Sequence, residues 1–147
     1  MCWSFRPSLT PLQFQIMSRP SPQIELGAID CSVALILCDL DAPDCPIVYT
    51  TDSFCAMTGY PRNEMLGQNC RFLQTPKGRY AGRQIKAVDK LAIHRMRQAI
   101  NNQDEVQLQI TNYKKSGQRF TNFLSIIPIK MAGTSQNFAV GFGVELE

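Results

Sequence analysis

Gly67-Gln68-Asn69-Cys70-Arg71-Phe72-Leu73-Gln74 is the stretch on which the reading of this chain turns. It combines a thiol, amides, a guanidinium and an aromatic ring within one or two helical turns. A helix places Asn69 and Cys70 about 100° apart and brings Cys70 and Gln74 onto one face. Thiol and amide then address one ligand. An Asn or Gln amide matches a heterocycle edge of alternating donors and acceptors without setting a charge beside it.

Outward from the octet, the signals are short and well punctuated. Thr51 or Asp52 caps a helix over 53–58 that Gly59 stops, and Pro61 opens another through Met65 that Gly67 ends. Before them, the apolar run 33–38 has strand length, 39–46 is a turn region, and 47–50 is the hairpin partner. After the octet, 75–86 reads as a polar loop with Pro76, Gly78, Gly82 and four basic residues. Residues 88–100 carry helical spacing at Leu91, Ile93, Met96, Ala99 and Ile100, with Asn101-Asn102 as the stop. Strands follow at 105–113, 119–129 and 137–146, with a turn at Gly117. This order is α+β: a five-stranded antiparallel sheet with helices over one face, enclosing a pocket for a flat, largely apolar ligand. The first ~25 residues carry four prolines, which leave room for one short helix at 12–17. Phe14, Ile16 and Met17 give that helix an apolar side. The predicted organisation is an arm over 1–30 packed on a domain over 31–147, with an extended loop at 75–90.

Composition excludes several classes. The chain has 147 residues, enough for one domain plus an arm. The longest apolar run, 33–38, is far short of the roughly 20 residues that cross a bilayer. No membrane association is expected, and the N-terminus lacks a secretory signal, so the expected location is cytoplasmic and/or nuclear. The net charge of +3 is spread without a dense run, which gives direct nucleic-acid binding little support. Six cysteines without a CxxC pair and a single histidine, His94, read as free thiols; no metal site is expected. Cys45, beside Pro46 in a turn, reads as the most exposed of the strand-region thiols.

The octet resembles the signature of light-oxygen-voltage (LOV) domains of the PAS superfamily. The likeness extends from 15–27 to Val140-Gly141-Phe142, and is greatest to small fungal photoreceptors of the Vivid and Envoy type. It implies a blue-light photoreceptor, not an enzyme, that encloses a flavin. In such a photocycle Cys70 is the thiol that adds reversibly to the excited flavin. Asn69, Gln74, Asn112 and Asn122 are the candidates for its pyrimidine edge. Arg71 and Arg97 match residues that contact the flavin phosphate, and Ile36, Ile47, Met96 and Ile126 match positions packed around the ring. The long loop implies FAD, with FMN also acceptable, and Arg79, Arg83 and Lys86 are candidates for a pyrophosphate. The implied partners are a second copy of the chain in the light and White Collar-type transcription factors, in light response and photoadaptation.

Two residues depart from the pattern. Gly143 stands where LOV domains usually carry a glutamine that reorients during signalling, and Val33 stands where a hinge cysteine links arm and core. The expectation is an adduct that forms normally and a structural response that is rewired. A flavoenzyme, a thiol-based redox sensor on a flavin PAS domain and a flavin-free PAS interaction module are the competing readings. The first lacks a GxGxxG motif and an acid-base pair.

Overall fold

The computed structural model describes residues 9–27, 29–30, 32–76, 87–131 and 134–147. In chain order they form α1 (Leu9–Met17), β1 (Leu35–Asp39), β2 (Ile47–Thr50), α2 (Asp52–Thr58), α3 (Arg62–Met65), a 3-10 helix (Cys70–Gln74), α4 (Ala87–Asn102), β3 (Val106–Tyr113), β4 (Arg119–Lys130) and β5 (Asn137–Leu146). The sheet order is β2-β1-β5-β4-β3, every pair antiparallel. The α+β, five-stranded architecture is the expected one.

Strand periodicity divides the sheet into two buried faces. Outward, Leu35, Leu37, Ile127, Ile129, Val140 and Phe142 pack with Leu12 and Ile16 of α1 and with Ile29. Inward, Ile36 and Cys38 pack with Phe54, Tyr60, Met65, Phe72 and Leu73, while Leu108, Ile110, Leu124, Ile126 and Ala139 pack with Ala92 and Met96 of α4. Coverage on both sides explains why the sequence at β1 is a continuous apolar run instead of an alternation. The two inward clusters are separate, and the octet lies against the first of them.

Boundaries differ from expectation where side chains take over backbone bonds. Val33 and Ala34 lie before the strand because the Thr51 hydroxyl donates to Val33 O at 2.8 Å and accepts from Leu35 N at 3.0 Å. The same hydroxyl caps α2 through Phe54 N, and Gly59, at φ 80°, closes that helix. Asn101-Asn102 do not stop α4. They belong to it, and Gln103 at φ 57° makes the turn, with Asp104 N donating to Ala99 O at 2.8 Å. Glu105 is not the first residue of β3, because its carboxylate serves the arm instead.

The arm is held by more than α1. Arg19 Nε donates to Glu105, Arg19 Nη1 donates to Ile16 O at 2.6 Å, and Gln23 N and Ile24 N donate to Glu105 Oε1 at 2.8 and 2.7 Å. In return Glu105 N donates to Gln23 Oε1 at 2.8 Å. The side chains of Arg19 and Glu105 are only 9% and 6% exposed. Burial pushes the Glu105 carboxyl up, but the bonds from Arg19, Ile24 and Gln23 outweigh it and hold the group below the ordinary carboxylate range.

Candidate functional site

The octet is fixed to the β1–β2 hairpin by its backbone. Gly67 N donates to Ile47 O and Ile47 N donates to Gln68 O, both at 2.8 Å. Asn69 then caps the 3-10 helix by accepting from Arg71 N at 3.0 Å, while its Nδ2 donates to Asp44 O at 2.7 Å. The expectation of one α-helical face for Cys70 and Gln74 is corrected here. At three residues per turn Cys70 eclipses Leu73, and Gln74 stands about 120° away. Asn69 is not helical either (φ −72°, ψ 140°), and its amide spans the motif and the turn.

Asp44 is the residue that sequence reasoning missed. Its carboxylate takes Arg71 Nη1 and Nη2 at 2.8 and 2.6 Å, a paired contact that lowers the Asp44 carboxyl. Asp44 and Cys45 both adopt positive φ, 65° and 47°, a costly conformation for residues with a Cβ. No local pattern announces this partnership, because the hairpin brings the two ends together over 27 positions.

The thiols are not equivalent. Cys70 is partly exposed and packs with the cluster that holds buried Cys38. Interaction with Cys70, followed by burial, pushes the Cys38 thiol up, while interaction with Cys38, against burial, holds Cys70 below its ordinary value. Cys45 is half-buried, and burial followed by the charges of Asp44, Asp39 and Asp41 raises its thiol. It is therefore a poorer thiolate than its turn position suggested. Cys55 lies against Met65 Sδ at 3.9 Å.

Across the inward face, Asn112 and Asn122 are 4% and 1% exposed and meet each other: Asn122 Nδ2 donates to Asn112 Oδ1 at 3.0 Å. Asn112 Nδ2 donates to Thr111 O at 3.0 Å, and Asn122 Oδ1 accepts from Val144 N at 3.2 Å. Ile36, Ile47, Met96 and Ile126 are all buried, the first two beside the octet and the last two beside α4. Gln74 is half-buried, and its amide has no partner among the described residues. Arg97 is exposed on α4. Arg79, Arg83 and Lys86 lie outside the described residues, as do Cys31 and the loop that carried the pyrophosphate expectation. The donor set fits a flavin: apolar walls, neutral amides with spare N–H groups for a pyrimidine edge, and a thiol close to the sheet.

Gly143 sits at a close approach that a side chain would enter only if the end of Met57 shifted. A Cβ there comes within 2.8 Å of Met57 Cε and 3.0 Å of Asn122 Oδ1. Gly143→Ala is expected to cost about 1–3 kcal/mol by overpacking, with Met57→Ala recovering part of it. Urea melts of the two single variants and the double variant check this; full additivity would show that Met57 is not the obstacle.

A cavity of about 410 Å³ lies elsewhere, between the arm and the ends of β4 and β5, lined by Arg19, Gln23, Glu105, Lys130 and Phe138 among others. None of the expected site residues borders it.

The PAS domain family model matches residues 32–146. The chain is 42% identical over 133 residues to the blue light receptor lreA of Aspergillus flavus, covering 90% of this chain and 16% of the relative. It is 39% identical over 132 residues to the White collar 1 protein of Neurospora crassa, covering 89% and 11%. The chain thus spans less than a fifth of these relatives. The light-state dimer of the fungal blue-light photoreceptor Vivid superposes with a TM-score of 0.83 at 48% identity, covering 93% of each chain.

Proposed function

The chain belongs to the PAS domain family and within it to the fungal LOV type, and from that premise we propose that it is a blue-light photoreceptor in which Cys70 is the photoactive thiol. The observation that carries the reading is the anchoring of Cys70 at the head of a short 3-10 helix, bonded through Gly67 and Gln68 to β2 and facing the cluster around Ile36. A bound flavin would supply the light absorption and an electrophilic ring for the Cys70 thiol. The chain's own residues orient it: Asn112, Asn122 and Gln74 supply amides, Ile36, Ile47, Met96 and Ile126 exclude water, and Arg71, released from Asp44, offers paired donors to a phosphate.

FAD is the preferred flavin in this proposal, with FMN acceptable; chromatography of the cofactor released from purified protein distinguishes them. Signalling is proposed to run through the arm to a light-state homodimer, with Phe14 and Met17, each 61% exposed, offering apolar surface on α1. White Collar-type regulators and a cytoplasmic or nuclear location belong to the same proposal. The test is an absorption spectrum before, during and after blue illumination, with light scattering of the same samples. A flavin band that bleaches and recovers in darkness, with a rise in mass, is expected; a flavin band untouched by light rejects the reading.

A further inference from the structure

Thr75, the residue that follows the 3-10 helix, carries a buried hydroxyl without a bond. The residue is 8% exposed, and its Oγ1 has no hydrogen-bond partner among the described residues. The other buried threonines are satisfied. Thr50 Oγ1 donates to Thr51 O at 3.4 Å, Thr51 Oγ1 to Val33 O at 2.8 Å and Thr58 Oγ1 to Phe54 O at 3.1 Å. Thr58 reaches a carbonyl four residues back because it is helical. Thr75 is extended (φ −135°, ψ 150°) and lies outside its helix, so that bond is not open to it. A hydroxyl buried in this way costs free energy until it is bonded, and folded proteins pair nearly every such group.

The surroundings of the group narrow what bonds it. Gln74, its chain neighbour, is half-buried, and its amide has no partner among the described residues. The 3-10 helix that ends at Gln74 packs against β3, the strand that carries Asn112. An uncharged amide and an uncharged hydroxyl thus stand side by side without bonds, next to the residues assigned to the flavin. From this arrangement we propose that Thr75 is a further ligand-binding residue of the site, its hydroxyl bonding an oxygen of the flavin. The identity of the ligand rests on the photoreceptor reading. A hydroxyl both donates and accepts, so it suits a ring carbonyl or a hydroxyl of the polyol chain. Valine has nearly the shape of threonine and lacks the hydroxyl. In the flavin-free protein Thr75→Val removes a buried unbonded group, whereas in the loaded protein it removes a bond. The two effects have opposite signs, which a hydroxyl bonded within the protein does not produce.

The test compares the full chain with Thr75→Val and Thr75→Ser, each loaded with flavin and stripped of it. Stripped Thr75→Val is expected to melt about 2–6 °C above the parent. Its affinity for riboflavin, read from the quenching of flavin fluorescence, is expected to fall about 5–50-fold. Release of flavin from the loaded variant should quicken accordingly, a measurement that needs no stripping. Thr75→Ser, which keeps the hydroxyl, should bind as the parent does. Lumiflavin has the ring without the polyol chain: an equal fall with it places the bond on a ring carbonyl, and a fall with riboflavin alone places it on the chain. Equal affinity and equal release in parent and Thr75→Val overturn the proposal, as does a stripped Thr75→Val that melts below the parent. A parent that takes up no flavin overturns the photoreceptor reading with it; a parent that bleaches while Thr75→Val holds flavin as tightly overturns this proposal alone.

Discussion

Cys70→Ala is expected to abolish light-driven bleaching altogether while the protein still folds and still carries flavin. The side chain is not among the fully buried ones, and its removal deletes one sulfur from the rim of a cluster whose weight lies in Phe54, Met65, Phe72 and Leu73. The expected loss of stability is therefore small, about 1 kcal/mol. The chemical loss is complete, since Cys38 stays buried on β1, and burial alone holds its thiol up. An absorption series under blue light checks the prediction, with thermal melts as the folding control. A bleach of parental amplitude in the variant would move the photochemistry to another residue.

Glu105→Ala is expected to release the arm. The substitution leaves the Arg19 guanidinium buried without its carboxylate and removes the acceptor for Gln23 N and Ile24 N. Breaking a buried ion pair by deleting one partner typically costs about 3–5 kcal/mol. Here the arm can leave the sheet, so the loss saturates at the free energy with which the arm is docked, and the core survives. Hydrogen exchange over 12–27 should then rise strongly while β4 and β5 stay protected, and the same variant should show an altered dark-state mass if the arm governs association. Glu105→Gln, which keeps an acceptor but not the charge, is expected to fall between. Acid should act in the same direction. The folded-state value of Glu105 is depressed, so its contribution is present above the ordinary glutamate pKa of about 4.3 and is lost as the pH falls through the lower folded value. Arm protection that is unchanged in the alanine variant, or on acidification, would place the hold on α1 alone.

The elements were legible where a residue type acts on its own chain neighbours. Thr51 and Gly59 bracket α2 because a hydroxyl and a glycine are local devices for helix ends, and both perform as the pattern indicates. The continuous apolar run at β1 and the alternation in β3 gave the sheet its strands. The octet was legible as a unit, but its conformation was not: a 3-10 turn and an α-helical turn use the same residues, and the bonds from Gly67 and Gln68 to Ile47 decide between them. Asn101-Asn102 misled for a similar reason, since the helix end was set by a bond from Asp104 to Ala99 and not by the local preference of asparagine.

The sequence by itself determined the order of elements, the two apolar faces of β1 and the presence of a thiol among amides, because side-chain period and turn chemistry act over a few residues. Only the tertiary structure decided which groups meet. Asp44 takes Arg71, Glu105 takes the arm, Asn122 reaches Val144 across the sheet, and the end of Met57 lies over Gly143. Each of these contacts joins residues from 22 to 86 positions apart, and at such separations the chain's path through the sheet, not its local pattern, sets the distance. The octet is the clearest instance: two backbone bonds to Ile47 and the reach of Asp44 to Asn69 and Arg71 fix a motif whose surroundings the sequence does not show.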